Sequence, residues 1–203
     1  MAGERPCTFC DRSQFEEQLV AESENFYVIA TLGQITDGGY VLLVPKRHVL
    51  CVGDMTMEEI IHMTAEASKL DQSVSEEYRC STTIFEHGIV GQSIKHAHLH
   101  IIPAACIMTE RIRSDFSGKE MNIIHSLSDL NLLYRQKLVS YLFWNDYNLR
   151  STVCWDPPAP PQYLRKVVAE YIGKPERANW REMDPVLDKQ FWSETVARLK
   201  KYF

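Results

Sequence analysis

Three histidines alternate with small or apolar residues in one short stretch of the sequence, HAHLHII at positions 96–102. The chain has only seven histidines in its 203 residues, so three within five positions need a physical reason. Successive side chains of a β-strand point to opposite faces of the sheet. A strand here places Ala97, Leu99 and Ile101 on one face and the histidines on the other. We expect Pro103 to end it, because proline cannot donate to a sheet.

A row of imidazoles on one strand face indicates function, because in a dry core several ring nitrogens would lack partners. Two interpretations fit the spacing of His96, His98 and His100. In the first, alternate strand positions direct them at one metal ion. In the second, one imidazole is a nucleophile in phosphate chemistry and its neighbours fix its tautomer and charge. The isolated histidines, such as His62 and His87, are interpreted as ordinary core or surface residues.

The preceding sequence predicts an antiparallel strand pair followed by a long helix. Residues 25–31 and 39–49 are rich in β-branched and aromatic residues, and the connecting LGQITDGG is typical of a turn. Thr56 and Glu59 have the spacing of a capping box, and apolar residues then recur every three or four positions, as on the buried face of a helix. Residues 80–86 predict a further strand.

Beyond about residue 105 the pattern becomes mixed. Residues 107–122 are polar and predict a loop, and a helix is expected around 125–140. A hairpin is expected in SYLFWNDYNLRSTVCW, with its turn at NDYN. After the chain-breaking DPPAPP, two more helices are expected, and Gly173 is predicted to end the first of them.

These patterns together predict an α+β protein. Its antiparallel sheet has about five strands, and one long helix packs on it. We divide the chain into a core over residues 1–105 and an extension of mixed hairpin and helices over residues 106–203, packed on the core.

Composition excludes several classes of function. The net charge of −5 provides no general attraction for nucleic acid, so a phosphate ligand must be held by a local site. No apolar run approaches the roughly 20 residues of a membrane-spanning helix, and the first ten residues lack the apolar stretch of a signal peptide. Six cysteines in such a chain predict reduced thiols or metal ligands rather than disulfides. We expect a cytoplasmic protein that binds neither membranes nor, stably, nucleic acids.

Residues 91–103, GQSIKHAHLHIIP, closely resemble the signature of the histidine triad (HIT) superfamily, in which histidines alternate with hydrophobic residues. The Gly-Gln-Ser resembles the Hint-like branch, and the lysine before the first histidine is similar to the Fhit-like branch. GYVLLVPKRHV and the helix after it also resemble this superfamily, so the likeness covers roughly residues 7–103. It implies a HIT-like fold, a homodimer, a small-molecule nucleotide substrate and no catalytic metal.

The resemblance also implies roles for individual residues. His98 would be the nucleophile that attacks the α-phosphorus of a nucleotide and forms a covalent nucleotidyl-histidine intermediate. His100 would contact the phosphates and assist proton delivery to the leaving group. Gln92 and Ser93 would donate hydrogen bonds to phosphate oxygens, where charge develops.

The implied activity is hydrolysis of a dinucleoside polyphosphate or a nucleoside phosphoramidate. Three alternatives stay open. The first is a nucleotidyltransferase or phosphorylase that uses an acceptor other than water, and the second is a nucleotide-binding regulatory protein without catalysis. The third alternative is a metalloenzyme whose zinc is held by all three triad histidines.

A second constellation is CTFC, in which Cys7 and Cys10 have the spacing of a zinc-binding half-site or of a redox pair. In zinc-containing HIT relatives, two such cysteines join a histidine after the second strand and the first triad histidine. The matching positions here are His48 and His96. The resemblance therefore implies a structural zinc site that fastens the N-terminal region to the histidine strand.

Two positions depart from the pattern of the superfamily. Tyr40 stands where many relatives have a histidine near the triad, so proton transfer there is expected to be modified. Glu86 stands where relatives often have glutamine or asparagine. A carboxylate at that position would repel phosphate unless it is paired or directed at a ribose.

Overall fold

The structure, a computed structural model, describes residues 7–146 and 151–203. Its strands form one antiparallel eight-stranded sheet in the order β1-β2-β3-β5-β4-β7-β8-β6. The strands are β1 Leu19–Glu22, β2 Phe26–Ala30, β3 Val41–Pro45, β4 Thr83–Gly88, β5 Leu99–Ile102, β6 Met121–Ile124, β7 Tyr141–Asn145 and β8 Ser151–Trp155. The α-helices are α1 Met57–Tyr78, α2 Thr109–Asp115, α3 Leu127–Lys137, α4 Tyr163–Tyr171 and α5 Pro185–Leu199.

The long helix α1 forms for the reasons that its sequence suggests. The Thr56 hydroxyl accepts from the Glu59 amide, and the Glu59 carboxylate accepts from the Thr56 amide, which completes the capping box. The helix ends where Arg79 adopts a left-handed conformation. The apolar positions that recur every three or four residues all lie in the core; they are Ile60, Met63, Ala67, Leu70 and Val74.

The α+β class is confirmed, but the sheet has eight strands rather than the expected five or so. The prediction of a loop over residues 107–122 is wrong, because that segment contains α2 and β6. Both elements are polar for a physical reason. The arginines of α2 form exposed ion pairs with neighbouring acids, and only Ile112 of this helix is buried. β6 is an edge strand that buries little of its length.

The later helices and the hairpin are confirmed. α3, α4 and α5 fall within the predicted segments, and Gly173 follows α4 with the positive φ of a helix terminus. β7 and β8 form the predicted hairpin. Tyr147 and Asn148, half of its predicted turn, lie outside the described residues.

The sheet is covered on both faces. One face packs against α1, α3 and α5 through side chains that include Leu43, Leu99 and Ile101. The opposite face packs against the N-terminal turns, α2 and α4 through side chains that include Leu42 and Phe85. The histidines belong to this second face.

The sheet continues across residue 105. β7, from the extension, pairs with β4 along its length, and α5 returns to pack against β1 and β2. The division into residues 1–105 and 106–203 stays a prediction. Among the described residues, no helix is both long and apolar enough to span a membrane.

Candidate active site and metal-binding cluster

The histidine stretch alternates as predicted, although β5 begins only at Leu99. Ala97, Leu99 and Ile101 are buried in the core beneath α1. The three histidines lie on the other face and are also buried, with at most 6% of any side chain exposed. Although they share a face, each has a different set of partners.

Both ring nitrogens of His96 have partners. Its Nε2 lies 2.8 Å from the Pro45 carbonyl oxygen. Because a carbonyl can only accept, Nε2 carries the proton and Nδ1 the lone pair. Nδ1 faces the N-terminal cysteines, 3.4 Å from Cys7 Sγ and 3.6 Å from Cys10 Sγ. His96 therefore points away from the other two triad histidines.

The predicted metal ligands come together. Cys10 Sγ lies 3.3 Å from His48 Nδ1, and the ligand atoms of Cys7, Cys10, His48 and His96 all lie within 4.8 Å of one another. Two sulfurs and two imidazole nitrogens form a donor set that suits a tetrahedral zinc ion. The Pro45 carbonyl orients His96 as outer partners of metal-bound histidines do. These residues fit a metal ion.

His98 is held through one of its two ring nitrogens. Its Nδ1 lies 2.6 Å from the His96 carbonyl oxygen, so Nδ1 carries the proton and Nε2 carries the lone pair. Burial lowers the pKa of His98 to about 4, so the ring is neutral near pH 7. Phe9 packs edge-on against the ring, with the centroids 5.3 Å apart.

His100 contacts the residue that departs from the family pattern. The Tyr40 hydroxyl lies 2.6 Å from His100 Nδ1, while His100 Nε2 is buried without a partner among the described residues. Phe85 stacks on the His100 ring at 4.4 Å. Burial holds the pKa of His100 well below its usual value and raises the pKa of Tyr40 to about 12, so both groups are neutral.

Glu86 is not placed where its carboxylate would repel a phosphate bound at the triad. It lies on the opposite face of β4 from Phe85, where its carboxylate accepts from the Val52 amide at 2.7 Å and the Tyr141 hydroxyl at 2.6 Å. It is fully buried, and this burial raises its pKa to about 7. The carboxylate is thus paired within the α1 side of the core, away from His100.

His87 is a site residue that the sequence analysis missed. Its ring lies 5.7 Å from the His100 ring, and its Nε2 accepts a hydrogen bond from the Leu164 amide at 3.0 Å. Burial lowers its pKa to about 3, which keeps it neutral and able to accept. The period-two pattern of β4 was a usable signal, because it places His87 and Phe85 on the face of the triad.

A cavity of about 480 Å³ opens beside His98, a size suited to a small-molecule ligand. Phe9, Phe15 and Leu42 contribute apolar wall, and Ser93 lies at the same cavity. Among the lining residues of the described chain there is no acidic side chain.

Gln92, the other predicted phosphate ligand, does not line this cavity. Its Nε2 donates to the Leu50 carbonyl at 2.7 Å, and its Oε1 is buried without a partner in the described structure.

The extension also reaches the cavity, through Arg165 of α4 and through Trp180 and Arg181. No local sequence signal marks these residues, because only the tertiary fold brings α4 next to His98.

Comparison with known proteins identifies the first half of the chain. The HIT domain family matches residues 12–106. A bis(5'-adenosyl)-triphosphatase from Dictyostelium discoideum is 35% identical over 97 residues, which is 44% of this chain and 65% of that protein. A bis(5'-nucleosyl)-tetraphosphatase [asymmetrical] from Schizosaccharomyces pombe is 29% identical over 86 residues, 41% of this chain and 43% of that protein.

The chain thus matches less than two thirds of the length of each of these curated relatives. Among solved structures, a HIT family protein from Bacillus anthracis is 26% identical. The superposition covers 48% of this chain and 72% of that one, with a TM-score of 0.45. With the family match and the alternating histidines in one place, residues 12–106 of this chain form a HIT domain.

Proposed function

We propose that this protein is a nucleotide hydrolase that cleaves at the α-phosphate of a dinucleoside polyphosphate or a nucleoside phosphoramidate. The observation that carries the proposal is the state of His98. Its ring is neutral, its Nδ1 proton is fixed on the His96 carbonyl, and its other nitrogen is left for chemistry at the cavity. The names of the two curated relatives support the dinucleoside polyphosphate class.

The reaction proceeds in two displacements at phosphorus. His98 Nε2 forms a bond to the α-phosphorus while the bond from phosphorus to the leaving group breaks, and the electron pair stays with the leaving atom. Water then attacks the same phosphorus, the P–N bond breaks, and its electron pair returns to Nε2. A nucleoside monophosphate and a proton are released. A neutral imidazole is an effective nucleophile at neutral pH, and dividing one displacement into two lowers each barrier.

The neighbours of His98 hold the phosphate. If the Tyr40 hydroxyl donates to His100 Nδ1, the unpartnered His100 Nε2 carries a proton that it donates to a phosphate oxygen. The Ser93 hydroxyl lines the same cavity and is assigned the same task. A role for Gln92 requires its amide to leave Leu50, and it stays a prediction.

A structural zinc ion completes the proposal. Cys7, Cys10, His48 and His96 would hold it in a closed four-ligand site, where the ion supplies folding free energy rather than chemistry. The same geometry argues against zinc held by all three triad histidines, since His96 directs Nδ1 at the cysteines.

Transfer of the nucleotidyl group to an acceptor other than water begins with the same first step, so a transferase or phosphorylase is the nearest alternative. A regulatory protein that binds nucleotide without turnover is the other. The homodimer and the cytoplasmic location stay predictions from the sequence.

The test is to trap the covalent intermediate. The protein is mixed with diadenosine triphosphate, quenched, and examined by intact and peptide mass spectrometry for an adenylyl group on His98. His98→Asn is expected to bind nucleotide but to show neither adduct nor turnover. His100→Asn is expected to slow turnover by roughly 10²–10³-fold, the range for loss of one hydrogen-bond donor to developing charge. His125→Asn, an exposed histidine far from the triad in sequence, is the matched control and retains full activity.

Each alternative predicts a different result. Turnover that persists in a folded His98→Asn protein would remove His98 as nucleophile. Tight nucleotide binding by the wild-type protein without any adduct or product would favour the regulatory alternative.

A further inference from the structure

The extension places at the candidate active site a buried cation that has no counter-ion among the described residues. Arg165 is only 4% exposed and forms no ion pair among the described residues. Its hydrogen-bond partners are carbonyl oxygens, with Nη2 donating to Gly33 at 2.7 Å and Nε to Ala178 at 3.3 Å. Burying a charge without an opposite charge is costly. The arrangement is therefore that of a site for an anion.

The position of the guanidinium relative to the histidines indicates which anion it would bind. Its carbon lies 5.2 Å from the centre of the Tyr40 ring, and Arg165 lines the same cavity as His98. A phosphate bound for attack by His98 therefore lies within the field of Arg165.

A second arginine extends this positive region towards solvent. Arg181 is exposed at the mouth of the cavity and lies over the Trp180 ring at 4.5 Å. Two cations and no acid line the described cavity, although the chain as a whole carries a net charge of −5. The local charge is thus the reverse of the global one, as expected where a negatively charged ligand binds.

The extension packs closely against the HIT domain, with little free space between them at Gly33. Gly33 has a φ of +72°, and a Cβ there would lie 2.3 Å from Trp180 Cβ and 2.8 Å from Arg165 Nη2. At the other side, the His87 ring accepts from the Leu164 amide at the start of α4. A glycine and a neutral histidine of the HIT domain thus fix the place from which Arg165 reaches the cavity.

We propose that Arg165, with Arg181 at the cavity mouth, binds the phosphates of the leaving group, so that the preferred substrates are nucleotides whose leaving group is itself a phosphate chain. Dinucleoside polyphosphates belong to this class, and phosphoramidates, which release an amine, do not. The inference rests on the proposed nucleophile His98 and deepens that function.

The chemistry of the two leaving groups explains the preference. When His98 Nε2 attacks a polyphosphate, the P–O bond breaks, its electron pair moves to the bridging oxygen, and the departing phosphate gains negative charge. A guanidinium stabilises this charge with paired hydrogen bonds. When a phosphoramidate is attacked, the amine must instead take up a proton as the P–N bond breaks. His100 is neutral through burial and is not a ready cationic acid for that step.

The test compares two substrates that give the same intermediate. Diadenosine triphosphate and adenosine 5′-phosphoramidate both leave an adenylyl group on His98, so only the first displacement differs between them. The wild-type protein is expected to prefer the triphosphate in kcat/KM. Arg165→Gln is expected to lower the rate with the triphosphate by roughly 10²-fold and the rate with the phosphoramidate by less than about threefold. Arg181→Gln is expected to shift the preference in the same direction, by a smaller factor.

Arg177→Gln is the matched control. Arg177 also donates from the extension to the connection between β2 and β3, at the Ile35 carbonyl, but it pairs with Asp37 and does not line the cavity. Its loss is expected to leave the ratio of the two rates unchanged. If Arg165→Gln does not fold, Arg165→Lys and Arg181→Gln decide the question, because both preserve most of the packing.

Two outcomes would overturn the inference: an equal loss with both substrates in Arg165→Gln, or a wild-type preference for the phosphoramidate. An absence of adduct with either substrate in the wild-type protein would instead overturn the proposed function. In that case titration calorimetry with inorganic tripolyphosphate tests anion binding at Arg165 independently of catalysis. Binding that is lost in Arg165→Gln but kept in Arg177→Gln supports the site, and binding that does not depend on Arg165 refutes it.

Discussion

At the scale of single residues, alternation along a strand assigns neighbours to different environments. The three histidines share one face, yet His96 faces sulfur, His98 is fixed by a carbonyl and His100 by a tyrosine. On β4, one step along the chain takes Glu86 into the α1 side of the core and His87 to the triad. A residue's partners, rather than its type, therefore decide what chemistry it can perform.

Glu86 is expected to make stability depend on pH in an unusual direction. Burial raises its folded pKa to about 7, above the usual value, so between these two values the native state binds the proton more tightly than the unfolded state. Stability is then lost as the pH rises through this window, by at most roughly 3 kcal/mol. The hydrogen bonds from Val52 and Tyr141 favour the carboxylate, and the folded pKa of about 7 already includes their effect.

Glu86→Gln removes the titration and is expected to flatten this part of the profile. Urea unfolding at about pH 5 and about pH 8 measures the free energy of unfolding of both proteins. The buried histidines destabilise the protein in the opposite direction, as the pH falls below about 6.5, and their contribution cancels in the difference between wild type and variant. Glu24→Gln, at an exposed position, is the control and should follow the wild type. Identical profiles for wild type and Glu86→Gln would show that the carboxyl is not perturbed.

At the scale of elements, the short N-terminal turn contributes both to the cluster of candidate metal ligands and to the wall of the candidate active site. The turn Thr8–Cys10 supplies Cys10 to the cluster and Phe9 to the cavity wall, where Phe9 packs against His96 and His98. A short turn of this kind has little stability of its own. The cluster ligands are therefore expected to hold Phe9 in place.

Cys10→Ser tests this link. We expect the wild-type protein to contain close to one zinc per chain and the variant much less. The variant should also lose roughly 5–10 °C in Tm, since about 2–4 °C corresponds to 1 kcal/mol in a chain of this size. Metal analysis and calorimetric unfolding measure both, with Cys80→Ser, outside the cluster, as the control. A zinc-free wild-type protein of full stability would rule out the structural site.

Elements with a strong pattern could be predicted from the sequence, and those without one could not. The capped apolar face of α1 stands out because burial imposes a clear period on its residues. The β7–β8 hairpin stands out because both strands are short runs buried along most of their length. α2 and β6 bury little, so no period marks them, and the segment resembles a loop.

At the scale of the whole molecule, the site combines what a motif can show with what only the fold can show. The triad histidines and the four candidate metal ligands belong to recognisable motifs and were predicted from the sequence and its family resemblance. Arg165 was missed because its position at the cavity depends on the docking of α4, which no local pattern encodes. His87 was missed although the period-two pattern of β4 places it on the face of the triad. The unpaired charge of Arg165 became informative only when its surroundings were known.

The extension also completes the sheet. β4 lies between β5 on one side and β7 on the other, and the hydrogen bonds to β7 run from Ile84 to Gly88. Removing β7 would leave the β4 edge unpaired and would uncover the apolar side chains that β7, α3 and α4 now bury. Such an edge pairs readily with other chains.

A protein ending at residue 105 is therefore expected to aggregate, and light scattering after size-exclusion chromatography measures this. Coexpression of residues 106–203 as a separate chain is the control. Because β7 joins β4 only through non-covalent pairing, the second chain should restore solubility and, through Arg165, the preference for polyphosphate leaving groups. If the fragment 1–105 alone were soluble, monodisperse and as selective as the full chain, neither the sheet nor the site would depend on the extension. The continuous sheet and the buried guanidinium beside His98 both argue for the opposite result.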